Sequence, residues 1–291
     1  MAHNHHHDSG KNLKLAFLLN FGFTIFEVIG GFYTNSMAIL SDAIHDLGDT
    51  LSLGTAWLLD KKSKQKPDAS FSFGYARFSL LGALINGVVL VVGSVFVIVE
   101  AAKRISHPEM ANADGMMLFA LVGVAVNGYA AWKMSHGKTL NEKVVSWHLI
   151  EDVLGWCVVL VASIVLKIKY LLLLDPILSL FITAYILWNA LKRLKETLFT
   201  FLQGIPKEID LVKIEKEILS IHHVQSLHDT HLWSLEGEHH VFSTHLRLEN
   251  IDSVSQIIQT KKEIKVVLAK YHLKNCTIET ELDDESCSMV N

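Results

Sequence analysis

The chain is poor in the features that mark a disulfide scaffold, a nucleotide-driven machine or a nucleic-acid binder. Only three cysteines occur, Cys157, Cys276 and Cys287, widely spaced and without a CxxC pair. That excludes a disulfide framework and predicts reduced thiols. No G-x-x-x-x-G-K-[ST] sequence is present, so no P-loop supplies energy from a nucleoside triphosphate. His-Glu-x-x-His and G-x-S-x-G are absent as well, which argues against a zinc protease or a serine hydrolase and, more broadly, against an enzyme. The formal net charge is only −4, with no basic face interleaved with aromatics, so nucleic acid is not an expected partner. No small-residue cleavage site follows the first apolar run, which is long enough to stay as an anchor, and no removable signal is expected.

Hydrophobicity is abundant. Half of the 291 residues are hydrophobic and the mean hydropathy is +0.31, too high for a protein that must keep a solvated surface. Ser79–Val99 contains 21 residues without a charge, enough to cross a hydrocarbon core about 30 Å thick. Comparable stretches lie near 12–33, 37–59, 113–132, 145–166 and 170–191, giving six expected spans. Lys and Arg crowd one set of connections, as in Lys61, Lys62, Lys64, Lys66 and Arg77, whereas the other set offers Lys103, Arg104, Lys167 and Lys169. Short basic loops stay in the cytosol, so both termini are expected there, with membrane lipid around the spans.

Within this apolar setting one pattern occurs twice. His45-Asp-Leu-Gly-Asp49 and His148-Leu-Ile-Glu-Asp152 each place an imidazole and a carboxylate four residues apart, one turn along the same helix face. Two such faces offer four nitrogen and oxygen donors, which suits zinc or another divalent transition metal better than calcium or magnesium. Asp42, His45, Asp46 and Asp49 form a longer polar stripe, and Glu151 joins the second pair. Such groups could simply satisfy one another or line a structural water cavity. Two matched pairs with no compensating Lys or Arg favour a cation among them. Imidazole titrates near pH 6.5 and cannot hold metal while protonated, so protons and metal compete for the same nitrogen. Exchange of cytosolic metal for external protons follows without a separate energy-supplying domain.

After Leu202, Gln203-Gly-Ile-Pro206 interrupts the helix and charges become frequent. The expected domains are a His-rich tail over 1–11, a transmembrane domain over 12–202 and a soluble domain over 206–291. In the last, a helix with apolar positions Ile209, Val212, Ile218 and Ile221 precedes strands over 224–235 and 240–248. A second helix, capped by Asp252 or Ser253 and running to about Tyr271, precedes a third strand over 275–281. This α-β-β-α-β order predicts a small α+β sandwich, barely large enough to hold a core alone. On the second strand His245 shares a face with Val241, Ser243 and Arg247, while Phe242, Leu246 and Leu248 face the other way. His228 and His231 could equally be strand residues packing near Trp233. In the spans, Asn20, Glu27 and Asn86 are expected to hydrogen-bond between helices, with a proton relay at Glu27 the weaker reading, and Gly30, Gly31 and Gly82 to permit close helix approach.

The chain resembles the zinc-transporter-like branch of the cation diffusion facilitator family, nearly end to end. The residues that carry this are Ser36-Met-Ala-Ile-Leu-Ser-Asp-Ala-Ile-His-Asp-Leu-Gly-Asp49, Phe73-Gly-Tyr-Ala-Arg77, Asn86, His148-Leu-Ile-Glu-Asp152, Asp175-Pro176 and His228-Asp-Thr-His-Leu-Trp233. The resemblance implies a membrane all-α six-helix bundle followed by a cytosolic metallochaperone-like domain, proton-coupled metal export, a homodimer, and residence in a bacterial inner membrane. It associates histidine at the position of His45 with preference for zinc over cadmium. It also maps His228, His245 and Glu281, with Glu279 possible, onto metal-binding positions of the cytosolic domain. Zinc is then substrate and a candidate structural or regulatory ion, with no organic cofactor. The chain departs from relatives that bind metal between spans two and three, since Lys61–Arg77 offers only Asp68 and no histidine, and no site is expected there. It has only His136 where other relatives carry a long His-rich loop. His3, His5, His6 and His7 could feed zinc to the pathway or be a charge-poor tail. The competing readings are an intramembrane metal-dependent hydrolase, a membrane-bound zinc sensor that moves nothing, and a transporter of cobalt, manganese, iron or cadmium.

Overall fold

The computed structural model describes residues 9–63, 65–135, 140–169, 171–271 and 273–282. The side chains of 9–16, 56–57, 60–61, 63, 134 and 140–148 fall outside that description, as do His3, His5, His6, His7, His136 and Cys287. Two compact units divide the chain, Met1–Lys61 with Gly82–Leu194, and Lys62–Leu81 with Lys195–Asn291.

The first unit is helical. Its elements are α1 (Ser9–Thr34), α2 (Met37–Ser63), α3 (Phe78–Ser106), α4 (Ala113–Ser135), α5 (Leu140–Lys169) and α6 (Leu174–Phe201), one end each of α2, α3 and α6 falling in the second unit. Among the described residues five helices are long and apolar enough to cross a membrane, α1, α3, α4, α5 and α6. The remaining helix, α2, has 27 residues, about 40 Å at 1.5 Å per residue, but it carries the polar stripe Asp42, His45, Asp46 and Asp49. Large apolar side chains such as Phe32, Phe96 and Leu118 face outward, as expected of helices solvated by lipid.

Local chemistry sets the helix ends. Ser36 stands before α2, and Asp175 at the start of α6 accepts hydrogen bonds from Ser36 Oγ at 2.6 Å, Met37 N at 2.6 Å and Ala38 N at 3.2 Å. A carboxylate from a distant helix thus satisfies amides that α2 cannot satisfy itself. Asn35, between α1 and α2, takes a left-handed φ of 53°. Arg104 clamps it by donating to its backbone oxygen at 2.7 Å and to Oδ1 at 2.6 Å.

Two of the expected interhelical polar contacts form. Asn86 Nδ2 donates to Ser52 Oγ at 2.6 Å, and Asn20 Nδ2 donates to the Asp46 carbonyl at 3.3 Å and to Thr50 Oγ1 at 3.0 Å. The third pairs two acids, the buried Glu27 carboxyl meeting that of Asp46 on α2, with no other donor at its oxygens. The close approaches are also in place, since a Cβ on Gly30, Gly31 or Gly82 would lie 2.5 Å from Phe119, 2.6 Å from Leu40 and 2.9 Å from Thr55. The tightest of these contacts escaped the sequence reading. A Cβ on Gly123 of α4 would sit 2.2 Å from the indole of Trp156 on α5, and Trp156 is completely buried. Gly123→Val is therefore expected to destabilise the first unit by about 1–3 kcal/mol, the usual cost of overpacking, seen as an earlier thermal transition in detergent. An unchanged transition would show that α4 and α5 do not pack at this point.

In the second unit, Asp68 organises the segment after α2. Its carboxylate accepts from Ser70 N at 2.8 Å, Phe71 N at 2.9 Å and the Tyr75 hydroxyl at 2.7 Å. The Tyr75 hydrogen bond, then the two amides, hold the Asp68 carboxyl below its ordinary value, and the same contact raises the Tyr75 phenol. The turn's contribution is thus present above the ordinary carboxylate range and lost as pH falls through the lowered value. Asp68→Asn should remove this acid dependence and let Tyr75 ionise at lower pH, read by ultraviolet titration. An unshifted phenol would contradict the contact.

The rest of the second unit follows the expected order. It comprises α7 (Leu211–Leu219), β1 (Val224–Ser234), β2 (His240–Leu248), α8 (Val254–Leu268) and β3 (Leu273–Glu281). The sheet order is β1-β2-β3, with β1 antiparallel and β3 parallel to β2. The parallel pair requires a crossover, which α8 provides. The core holds Ile214 and Ile218 of α7, Leu232, Phe242, Leu246, Leu248, and Ile264 and Leu268 of α8. The buried face of α7 differs from expectation. The Asp210 side chain caps the helix by accepting from Lys213 N, and of the expected apolar positions Ile209, Ile218 and Ile221 pack on the core, the first and last from outside the helix, whereas Val212 is 56% exposed and Leu211 and Ile214 take its place. Gln256 Oε1 accepts from Asp252 N and Ser253 N at the start of α8. Cys157 and Cys276 are free thiols, and burial pushes the Cys276 thiol up.

Candidate functional site

In the first unit, α2, α5 and α6 border a cleft of about 560 Å3 that takes Asp42, His45 and Asp49 from α2, Glu151 and Asp152 from α5, and Tyr185, Asn189 and Arg193 from α6. The helical period explains the α2 set, since positions 42, 45 and 49 share one face. His45 Nε2 lies 3.9 Å from Asp49 Oδ2, so the pair is adjacent but leaves room between donors. Three of the four residues read from the His-x-x-x-Asp repeat therefore open on one space. The fourth, His148, lies on α5 one turn before Asp152, and its side chain falls outside the described residues.

Two expectations about this stripe need correcting. The acidic set is not free of cations, because Arg193 lines the same cleft. It stands beside Lys192 near the C-terminal end of α6, and the helix turns it to the cleft. Four carboxylates still face one guanidinium among the described lining residues, so the surplus is negative. Asp46 is also not part of the cleft. It is 7% exposed and meets the Glu27 carboxyl of α1, while Asp42 is the strongest of the charges acting on it.

The second cluster is in the sheet. His228 and His245 are directly opposed in the β1–β2 register, with ring centroids 5.4 Å apart, and Glu281 is the last residue of β3. Glu281 Oε1 lies 3.1 Å from His228 Nε2 and 3.2 Å from His245 Nδ1. One donor atom from each of the three lies within 4.8 Å of the other two. A tetrahedral zinc with bonds of about 2.0–2.1 Å spaces its ligands about 3.3 Å apart, so both histidine–carboxylate spacings suit it and only the imidazole pair must close. His245 Nε2 meets further acid, Glu279 Oε2 at 3.5 Å and Asp229 Oδ2 at 3.8 Å. A neutral imidazole has one proton for its two nitrogens, so one lone pair of His245 faces a carboxylate unless a cation intervenes. His231 lies outside this cluster, exposed and paired with Asp229 Oδ1 at 2.9 Å.

Asp229 was missed in the sequence. Strict alternation puts it opposite His228, but the β1–β2 register shifts between His228 and His231 and Asp229 adopts a φ of 48°. This bulge re-aims its side chain. Nothing in the string His228-Asp-Thr-His announces it.

The cation efflux transmembrane domain matches residues 13–202. A cadmium, cobalt and zinc/H(+)-K(+) antiporter of Bacillus velezensis is 34% identical over 97% of this chain and 92% of its own. Zinc transporter ZitB of Pectobacterium atrosepticum is 32% identical over 99% and 92%. The metal-bound C-terminal domain of the CzcD transporter from Cupriavidus metallidurans is 32% identical over 25% of this chain and 100% of that one, with a TM-score of 0.23. Matched by the family's domain over most of its length and by full-length relatives over nearly all of it, this chain belongs to the cation efflux family, known also as the cation diffusion facilitators, in its zinc-transporter-like branch.

Proposed function

We propose that the protein exports zinc from the cytosol in exchange for protons, binding the ion between His45 and Asp49 of α2 and His148 and Asp152 of α5. The observation that carries this is the shared cleft, where a histidine and carboxylates from two helices meet with an excess of negative charge. Two nitrogens and two oxygens form a four-coordinate set that zinc accepts readily and calcium or magnesium does not. Release follows from chemistry at the same atoms, because a proton arriving at an imidazole removes the lone pair that holds the metal. In this reading six helices cross the membrane with both termini in the cytosol, and the bundle exposes the site alternately to each side. Two copies pair as a homodimer. The names of the relatives support both the cargo and the exchange, and cobalt and cadmium are further cargoes to test.

His228, His245 and Glu281, with Asp229 or Glu279 alongside, form a cytosolic zinc site in the same proposal. Zinc titration of the full chain carrying Asp49→Ala should retain one class of sites, and adding His245→Ala should lower its affinity by about 10–100-fold or more. Equal affinity in both variants would remove the sheet site.

Zinc uptake into proteoliposomes tests transport itself. Uptake should rise when the lumen is made acid relative to the bath, alkalinise the lumen as zinc enters and protons leave, and be competed by cobalt. Zinc binding without gradient-dependent flux would make the protein a sensor instead.

A further inference from the structure

The segment that leads into α3 carries a cation for which the fold supplies no anion. From Lys62 to Leu81 the basic residues are Lys62, Lys64, Lys66 and Arg77, and the one acid is Asp68. Asp68 is already engaged, one carboxylate oxygen accepting from the Ser70 and Phe71 amides and the other from the Tyr75 hydroxyl. Lys62 Nζ rests over the Tyr75 and Phe78 rings, 5.0 and 5.6 Å from their centroids. Arg77 is left over. Its Nε and Nη2 are buried, and no described residue accepts a hydrogen bond from either. Charged donors withdrawn from water without an acceptor are costly.

These two nitrogens form one edge of the guanidinium, whose parallel N–H bonds grip two oxygens of a single phosphate or carboxylate at once. A water takes one such bond and brings no charge, whereas a two-oxygen anion takes both. Space for it is present. Arg77 lines a pocket of about 370 Å3 with apolar walls from Phe71, Phe73, Trp233 and Leu235. One cation among such walls suits a ligand that is part anion and part apolar. Ser70 and Ser72 line the same pocket, and hydroxyl donors suit a phosphate, which has more oxygens to satisfy than a carboxylate. The place in the chain narrows the class further. Arg77 directly precedes α3 and stands two residues before the uncharged run Ser79–Val99, the level at which a membrane-crossing helix meets the headgroup phosphates.

We propose that this pocket binds the phosphate of an anionic membrane phospholipid, Arg77 holding two phosphate oxygens while Phe71, Phe73 and Trp233 receive the glycerol and the first chain carbons. The basic character of the segment favours a headgroup without an ammonium, so phosphatidylglycerol ranks above phosphatidylcholine. The inference stands apart from the zinc reading, because no residue of the cleft or of the histidine cluster in the sheet takes part in it.

Radiolabelled dioctanoyl phosphatidylglycerol, added to the full-length protein purified free of lipid in detergent, is the probe. The wild type should show about one saturable site per protomer, with phosphatidylcholine of the same chains competing about tenfold less well. Arg77→Gln should weaken binding by about tenfold or more, through loss of a charge-assisted pair of hydrogen bonds. Arg77→Lys should restore only part, because an ammonium lacks the fork. Phe73 is 42% exposed, so Phe73→Ser should leave the fold intact and still weaken the lipid by about threefold or more. Dioctanoylglycerol, with chains and no phosphate, should not compete, and glycerol phosphate, with no chains, should compete about a hundredfold less well than the lipid. No saturable binding in folded wild-type protein would overturn the proposal, as would unchanged binding in Arg77→Gln or Phe73→Ser, or competition by dioctanoylglycerol equal to that of the lipid. Glycerol phosphate competing as well as the lipid would make the pocket a site for free phosphate esters and overturn the lipid assignment.

Discussion

Asp49→Ala is expected to abolish zinc flux in proteoliposomes, by more than about a hundredfold, since even loss of an outer partner costs a metal site 10–100-fold. Asp49 is one of four proposed donors and lies 3.9 Å from His45, so its removal takes both a ligand and a compensating charge from a dication. Alanine leaves a helix former on α2, and the variant should remain folded. Asp152→Ala should match it from the other helix. Glu151 lines the same cleft but is exposed, so Glu151→Gln should change flux only modestly. Equal losses in Glu151→Gln and Asp49→Ala would mean that overall cleft charge matters rather than ligation. Retained flux in Asp49→Ala would refute the assignment.

Asp175→Ala is expected to lower stability by about 3 kcal/mol, combining a lost helix cap with buried donors left unpaired. Asp175 is 3% exposed, and Ser36 Oγ, Met37 N and Ala38 N all donate to it. Asparagine should recover only part, because one carboxylate oxygen accepts from Ser36 Oγ and Ala38 N and the other from Met37 N, and an amide NH2 cannot accept. The effect extends to function, since α2 carries His45 and Asp49 and a frayed start loosens their helix. Thermal unfolding of purified protein reads the stability, and flux per folded protein reads the consequence. Wild-type stability in Asp175→Ala would show that α2 does not depend on this cap.

The second unit was nearly legible in the sequence because alternation and turn residues act locally. Its β2 strand has the bounds read from hydrophobic alternation, and Phe242, Leu246 and Leu248 lie in the core as that alternation requires. The face of α7 was misread because its start depends on the Asp210 cap, and a shift of one or two residues moves Val212 from core to surface. Asp229 was invisible for a different reason, since a bulge is a property of paired strands and not of either alone. In the helical unit, composition gave long apolar helices and the His-x-x-x-Asp spacing gave a common face. It could not say that Asp46 would leave that face for Glu27, that Arg193 would join the cleft, or that Gly123 would receive Trp156, because each depends on which helices are neighbours.

The account depends most on one zinc ion held jointly by α2 and α5. Anomalous scattering at the zinc edge, from crystals of zinc-loaded protein carrying His245→Ala to silence the sheet cluster, tests it directly. The account predicts a peak bounded by His45, Asp49, His148 and Asp152, with bonds of about 2.0–2.1 Å. A zinc peak held by other residues, or those four side chains pointing apart with no ion between them, would contradict it.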